Sequence, residues 1–239
     1  PWIYLSYLLT PKSSVLRANL HPPITEHFSF LYGNQLYFIF VNAYSGEGIS
    51  ILPFAGNWRD RFLENASAAN ATPAILEVIS SGSFFDVVGD EWALRHAVTG
   101  ESVNPDHLVS DERIEMSDWE LLDFAVQVVR ESLEGTGERV TEWQTNPRID
   151  PCIWFVQGER LAWVVVRAAR YPSPDPDPPD YLDDFAEDMR QKDRPIGFFA
   201  PVVVANSSDS FDPINTEVTP LWRRDSLTVR YQGLVKVSE

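Results

Sequence analysis

The 239-residue chain has one cysteine, Cys152, so no disulfide can form within it. No apolar run approaches the roughly 20 residues that a membrane-spanning helix needs. The opening Pro1-Trp2-Ile3-Tyr4-Leu5-Ser6-Tyr7-Leu8-Leu9 is apolar but short, and it has neither a basic start nor a small-residue cleavage pattern. A start at Pro1 rather than Met points to a trimmed or incomplete beginning. Basic side chains are scarce: 19 against 35 acidic ones, a formal charge of −16, with Arg223-Arg224 the longest basic run. Phosphate backbones repel such a surface, so neither nucleic acid nor membrane is an expected partner. Missing too are Gly-x-Gly-x-x-Gly, Gly-Lys-Ser/Thr, a Gly-x-Ser-x-Gly elbow and any His-x-x-x-His or His-Glu-x-x-His pairing. The four histidines, His21, His27, His96 and His107, stand far apart. No cofactor and no metal are expected.

What the chain does have is core-forming material. Hydrophobic residues make up 44% of it, with eight Trp, fourteen Phe and eight Tyr, enough for one or two conventional cores. Cys152 precedes Ile153-Trp154-Phe155, which marks it as a buried strand thiol rather than a nucleophile. A single free thiol fits a reducing compartment, so a cytoplasmic location is expected. The Asn-x-Ser/Thr triplets at Asn65, Asn70 and Asn206 are read as coincidence.

The first hundred residues read mostly as strands. Residues 27–32 and 35–41 flank Gly33-Asn34, a two-residue hairpin loop in which Gly supplies a positive φ. Residues 57–70 are expected as a short helix, and strands resume at 73–79, 84–88 and 92–98. Residues 103–112 read as a connector with a turn at Asn104-Pro105-Asp106. This divides the chain into a β-rich region, 1–112, and an α/β region, 113–239, as two domains or one continuous one.

Ser117-Asp118-Trp119-Glu120 has the form of a capping box, with Met116 and Leu121 at the staple positions. Leu121, Leu122, Ala125, Val128, Val129 and Leu133 then recur at helical spacing, predicting a helix over 118–134 that Gly135 stops. Strands are expected at 138–143, 152–156 and 161–169, the last two antiparallel across a turn at 157–160. Residues 171–179 hold five prolines, a stiff extended loop. Asp175 to Asp180 superficially resembles a calcium loop but lacks the Gly and the distal Glu. A second helix, 180–191, places Leu182, Phe185 and Met189 on one face, with Asp180 as a candidate N-cap. Strands at 196–205 and 227–231, with a bend at Gly233, complete an α+β reading with a mixed C-terminal sheet.

The helix–strand–strand–strand–helix–strand order of 117–205 resembles the core of the PD-(D/E)xK nuclease-like superfamily. That resemblance implies a Mg²⁺-dependent phosphodiesterase in which Asp150 takes the strand-start carboxylate position. Val165 then stands where the family has Glu, and Arg167 where it has Lys. Val cannot ligate a metal, and Arg stays protonated; Glu120 or Glu131 would have to supply a second carboxylate. The competing reading is an ordinary sheet in which Val164 and Val166 pack on one face while Val165 and Arg167 project from the other. Several stretches are also similar to an uncharacterised group of bacterial proteins found in Pseudomonas-like genomes. These are Val103-Asn104-Pro105 through Leu108-Val109-Ser110-Asp111, Glu115 to Leu121, Trp163 to Arg167, Tyr171-Pro172 and Pro220-Leu221-Trp222-Arg223.

The expectation is therefore a non-enzymatic bacterial binding protein, an immunity protein that occludes the active site of a basic secreted toxin such as a nuclease or deaminase. Its contact residues would be Asp175, Asp177, Asp180, Asp183, Asp184, Glu187 and Asp188, with Trp222 and Arg223 as an aromatic–arginine hot spot. The alternatives are the divergent phosphodiesterase using Asp150, Glu120 and Arg167, and a structural or adaptor subunit of a larger assembly.

Overall fold

The computed structural model describes residues 13–18, 28–45, 57–81, 84–89, 91–209, 211 and 218–237. The apolar opening, His21 and His27 lie outside these. The chain divides into two compact units, Pro1–Ile114 and Glu115–Glu239. Two mixed sheets and, among the described residues, four α-helices make an α+β protein whose first half is β-rich.

In the first unit β1 (Ser13–Ala18), β2 (Phe28–Tyr32) and β3 (Gln35–Tyr44) form an antiparallel meander. The β2–β3 turn is the expected Gly33-Asn34 loop, with Gly33 at φ +59. Asn34 is 5% exposed because it organises a neighbouring segment as well: its amide donates to Ser110 Oγ and the Glu112 carbonyl. Helix α1 (Trp58–Ala68) then returns the chain so that β4 (Ala71–Ser81) lies parallel to β3. Trp58 stacks on Phe40, and Phe62 meets the same ring edge-on. β5 (Phe84–Val87) and β6 (Leu94–His96) both pair with β4, and β7 (Ser102–Val103) pairs with β6.

The expected connector contains a single helical turn, α2 (Pro105–Leu108). Pro105 stands at its start, and the Asn104 side chain accepts from the Asp106 N–H. Asp106 in turn accepts hydrogen bonds from the Tyr32 hydroxyl and the Trp92 indole, tying the turn to the core.

The second unit opens with α3 (Asp118–Gly135), and its capping box is complete: Ser117 Oγ accepts from the Glu120 N–H, and Glu120 accepts from the Ser117 N–H at 2.9 Å. The helix includes Gly135. The left-handed residue beyond its end is Gly137, φ +88, while the Glu138 N–H returns to the Leu133 carbonyl.

β8 (Arg139–Trp143), β9 (Ile153–Gln157) and β10 (Arg160–Arg170) follow as an antiparallel run, with Gly158 at φ +65 in the β9–β10 turn. Helix α4 (Leu182–Gln191) carries the chain over to β11 (Ile196–Asn206), parallel to β10. β12 (Leu227–Arg230) and β13 (Val235–Lys236) both add to β11, with Gly233 bending the chain between them at φ +103.

Strand alternation explains why β10 is apolar on both faces. Val164 and Val166 pack under Leu121, Leu122, Ala125 and Val129 of α3, whereas Trp163 and Val165 pack under Leu182, Ala186 and Met189 of α4. The sheet is thus the middle layer between two helices. Trp163 is 1% exposed; its indole donates to the Arg194 carbonyl, and its ring meets Phe185 edge-on. Gly197 lies against that ring, where a Cβ would stand 2.1 Å from it.

Candidate functional site

Between positions 175 and 188 every second residue on average is a carboxylate, and none is basic. The prolines keep 172–179 out of the sheet, so this stretch lies on the surface. In α4, burial of Leu182, Ala186 and Met189 against the sheet turns the intervening acidic positions outward. Asp175, Asp177, Asp180, Asp183, Asp184, Glu187 and Asp188 are all exposed.

Three of the seven are locally neutralised. Asp175 pairs with Arg230 at 2.9 Å, Glu187 with Arg190 at 3.5 Å and Asp188 with Lys192 at 2.5 Å. Asp177, Asp180, Asp183 and Asp184 have no ion pair among the described residues. Asp183 and Asp184 occupy the first turn of α4, where the helix dipole favours them. Asp180 is not the N-cap it was expected to be: Tyr181 holds that position and makes no side-chain cap, because the chain already turns there through the Leu182 N–H to Pro179 carbonyl bond. Asp180 and Asp183 instead line a pocket of about 350 Å³ with Leu182, Phe199 and Val235.

Arg223 requires a correction. Expected as a surface contact, its side chain is 1% exposed and forms a two-pronged ion pair with Glu120: Nε to Oε1 at 2.7 Å and Nη2 to Oε2 at 2.9 Å. The bridge between Glu115 and Trp222, and the Met116 N–H to Leu221 carbonyl bond, hold the 221–223 segment against the start of α3. Leu221 enters the core, Trp222 is half-buried, and Arg224, at φ +73, is exposed.

The two carboxylates of the phosphodiesterase reading are held by different arginines, Asp150 by Arg167 and Glu120 by Arg223. Asp150 precedes β9, whose pairing with β10 ends at Ile153↔Val164, and Arg167 lies three positions further along β10. Their side chains meet there, Nη2 to Oδ2 at 2.6 Å and Nη1 to Oδ1 at 3.2 Å. The Tyr181 hydroxyl donates to the same Oδ2 and accepts from Arg167, both at 2.5 Å. Burial would lower the Arg167 pKa, but the hydrogen bond and charge of Asp150 raise it. Tyr181 is pushed up by burial and then by Asp150. Cys152, 1% exposed, has its thiol driven up to about 12 by burial, with Asp150 adding to the rise.

Glu120 is held by Arg223 and Ser117, so in each carboxylate both oxygens already accept charge-assisted bonds with which a metal ion would have to compete. Among the described residues no group of three or more His, Cys, Asp or Glu side chains is placed to hold a metal.

Sequence reasoning missed a cleft of about 440 Å³ at the carboxyl end of β10. It is lined by Asp118, Leu121, Leu122, Pro147, Arg167 to Arg170 and Ser173. Arg170 ion-pairs with Asp118 and donates to the Met116 carbonyl. The sequence signal was present in outline: two arginines three apart at the end of an apolar strand cannot both continue into the core.

Residues 119–237 match the model of a family described only as a domain of unknown function, DUF8840. The match begins in the first turn of α3 and ends just past β13, so it takes in the layered sheet, the acidic segment and most of the cleft. No curated protein and no solved structure matches the chain.

Proposed function

We infer that this chain is a bacterial binding protein whose C-terminal unit holds a basic partner, acting as an immunity protein that covers the substrate groove of a cationic toxin domain. The observation that carries this reading is the exposure of all seven carboxylates between 175 and 188, four of them without a cation of their own among the described residues.

A surface left uncompensated in this way stores electrostatic repulsion, which an approaching basic groove relieves, so association is steered and fast at low salt. The same toxin groove, built to attract phosphates, is what such a strip would mask. The commitment of Asp150 to Arg167 and of Glu120 to Arg223 supports binding over metal-assisted hydrolysis. A cytoplasmic location accords with this role, since a producing cell must neutralise the toxin before export.

The test is recovery of the partner from native lysate, followed by calorimetry at 50 and 500 mM salt. The Debye length falls from about 14 Å to about 4 Å over that range, so affinity should drop by at least roughly tenfold. A basic partner whose affinity does not change with salt would refute the reading, as would a partner with no excess of Lys and Arg.

A further inference from the structure

The cleft at the end of β10 has one wall that the second unit leaves open. β11 pairs with β10 as far as Arg170, opposite Val204. On the other edge β9 stops early: Ile153 faces Val164, and the Cys152 N–H donates to the Val164 carbonyl at 2.8 Å. Alternation assigns the groups beyond that point. Val164 directs its carbonyl to β9, while the Tyr171 N–H reaches Val204 of β11. Even-numbered residues therefore address the β9 side and odd-numbered ones β11. The Val166 carbonyl is taken by Arg167 Nη1, and the Arg170 carbonyl by the Ser173 N–H. Ala168 lies between them, half-buried and lining the cleft; among the described residues neither its N–H nor its C=O has a partner on that side.

A strand edge that offers both the N–H and the C=O of one residue, Ala168, within a cleft matches the backbone of another chain. Because the flanking carbonyls are occupied, the edge can pair with about one residue, which suits a chain end rather than a through-running strand. The charges point the same way. Arg167 is tied to Asp150, whose side chain is 7% exposed, and stays so. Arg170 is held by Asp118, whose side chain is 88% exposed, and more loosely by Glu115 at 3.8 Å, so water screens both pairs and another carboxylate can replace Asp118 at little cost. Leu121 and Leu122 supply an apolar floor, and Ala168 and Ala169 leave room above it.

We propose that this cleft captures the C-terminal end of a partner polypeptide. The terminal residue adds to the free edge at Ala168, and its carboxylate displaces Asp118 from Arg170. The site uses none of the acidic residues of 175–188 and stands whether or not that surface binds a toxin.

The experiment is an NMR titration of the ¹⁵N-labelled full chain with a degenerate hexapeptide mixture bearing free C-terminal carboxylates, and with the same mixture amidated. The expected result is a saturable shift of the Ala169, Arg170 and Ser173 amides at millimolar total peptide, weakened at least about threefold by amidation. Asp118→Asn removes the nearer of the two competing carboxylates and should tighten binding by about threefold, a gain that a damaged fold would not give. Ala168→Pro deletes the edge N–H at a position where an edge strand tolerates proline, and should abolish the response. The proposal is overturned by the absence of any saturable shift up to roughly 10 mM peptide. Equal responses to the two mixtures overturn it as well, as does binding that Ala168→Pro leaves intact.

Discussion

Replacing Arg223 with Ala tests whether this arginine holds the fold rather than a partner. Its guanidinium makes two bonds of 2.7 and 2.9 Å to Glu120, with the two side chains 1% and 9% exposed. Removing one partner of a buried pair strands the other charge away from water, which costs about 3–5 kcal/mol. For the roughly 125 residues of Glu115–Glu239, an unfolding entropy of about 2.1 cal/mol/K per residue makes each kcal/mol worth ~4 °C. Arg223→Ala should therefore lower the melting temperature of this unit by ~12–20 °C, read by circular dichroism or calorimetry. Glu120→Met combined with Arg223→Met removes both charges and should recover most of that loss, because apolar replacements of a buried pair are often neutral. A residue of about 1 kcal/mol should remain, since Glu120 also closes the capping box. A shift of 2 °C or less for Arg223→Ala, the mark of a surface substitution, would refute the reasoning.

Other perturbations follow from the same packing. Gly197→Ala drives a Cβ into the Trp163 ring, which is itself enclosed, and should cost about 3 kcal/mol by urea denaturation. Ser117→Ala should cost about 1 kcal/mol by loss of the Oγ acceptor at the start of α3, measured the same way. The Cys152 thiol sits at about 12, so iodoacetamide at pH 8 should label it only in denaturant, as mass spectrometry would show. Because that folded value lies above the ordinary thiol value of about 8.5, the folded state favours the protonated form. The stability this lends is complete below about pH 8.5 and is lost as pH rises toward 12, so melts at pH 8 and 11 should differ in that direction.

How much of this was legible depended on the range of the interaction. Local chemistry announced itself. Gly33-Asn34 between two aromatic runs gave the hairpin, and Ser117 with Glu120 gave the start of α3. The alternation of Trp163 to Arg167 also gave the facing of β10, with Val164 and Val166 on one side and Val165 on the other.

Long-range pairing did not announce itself. The strands near 35–41 and 73–79 were recognisable, yet nothing local says that a helix between them makes β3 and β4 parallel. Arg223 reads as surface because an arginine is normally solvated, and the carboxylate that buries it lies 103 positions earlier. The Asp150–Arg167 pair and the open edge at Ala168 depend on where β9 begins against β10, a register fixed by tertiary packing. The acidic surface was the most legible feature of all, because burial of Leu182, Ala186 and Met189 fixes which way its carboxylates face.

The most direct measurement is the affinity for the recovered basic partner after Asp177, Asp180, Asp183 and Asp184 are all changed to Asn. These four side chains are exposed and unpaired among the described residues, so stability should move by no more than about 0.5 kcal/mol per site. The account predicts at least roughly a hundredfold loss of affinity at 50 mM salt, with most of the salt dependence gone. A folded quadruple variant that binds as tightly as the parent, with the same response to salt, would contradict it.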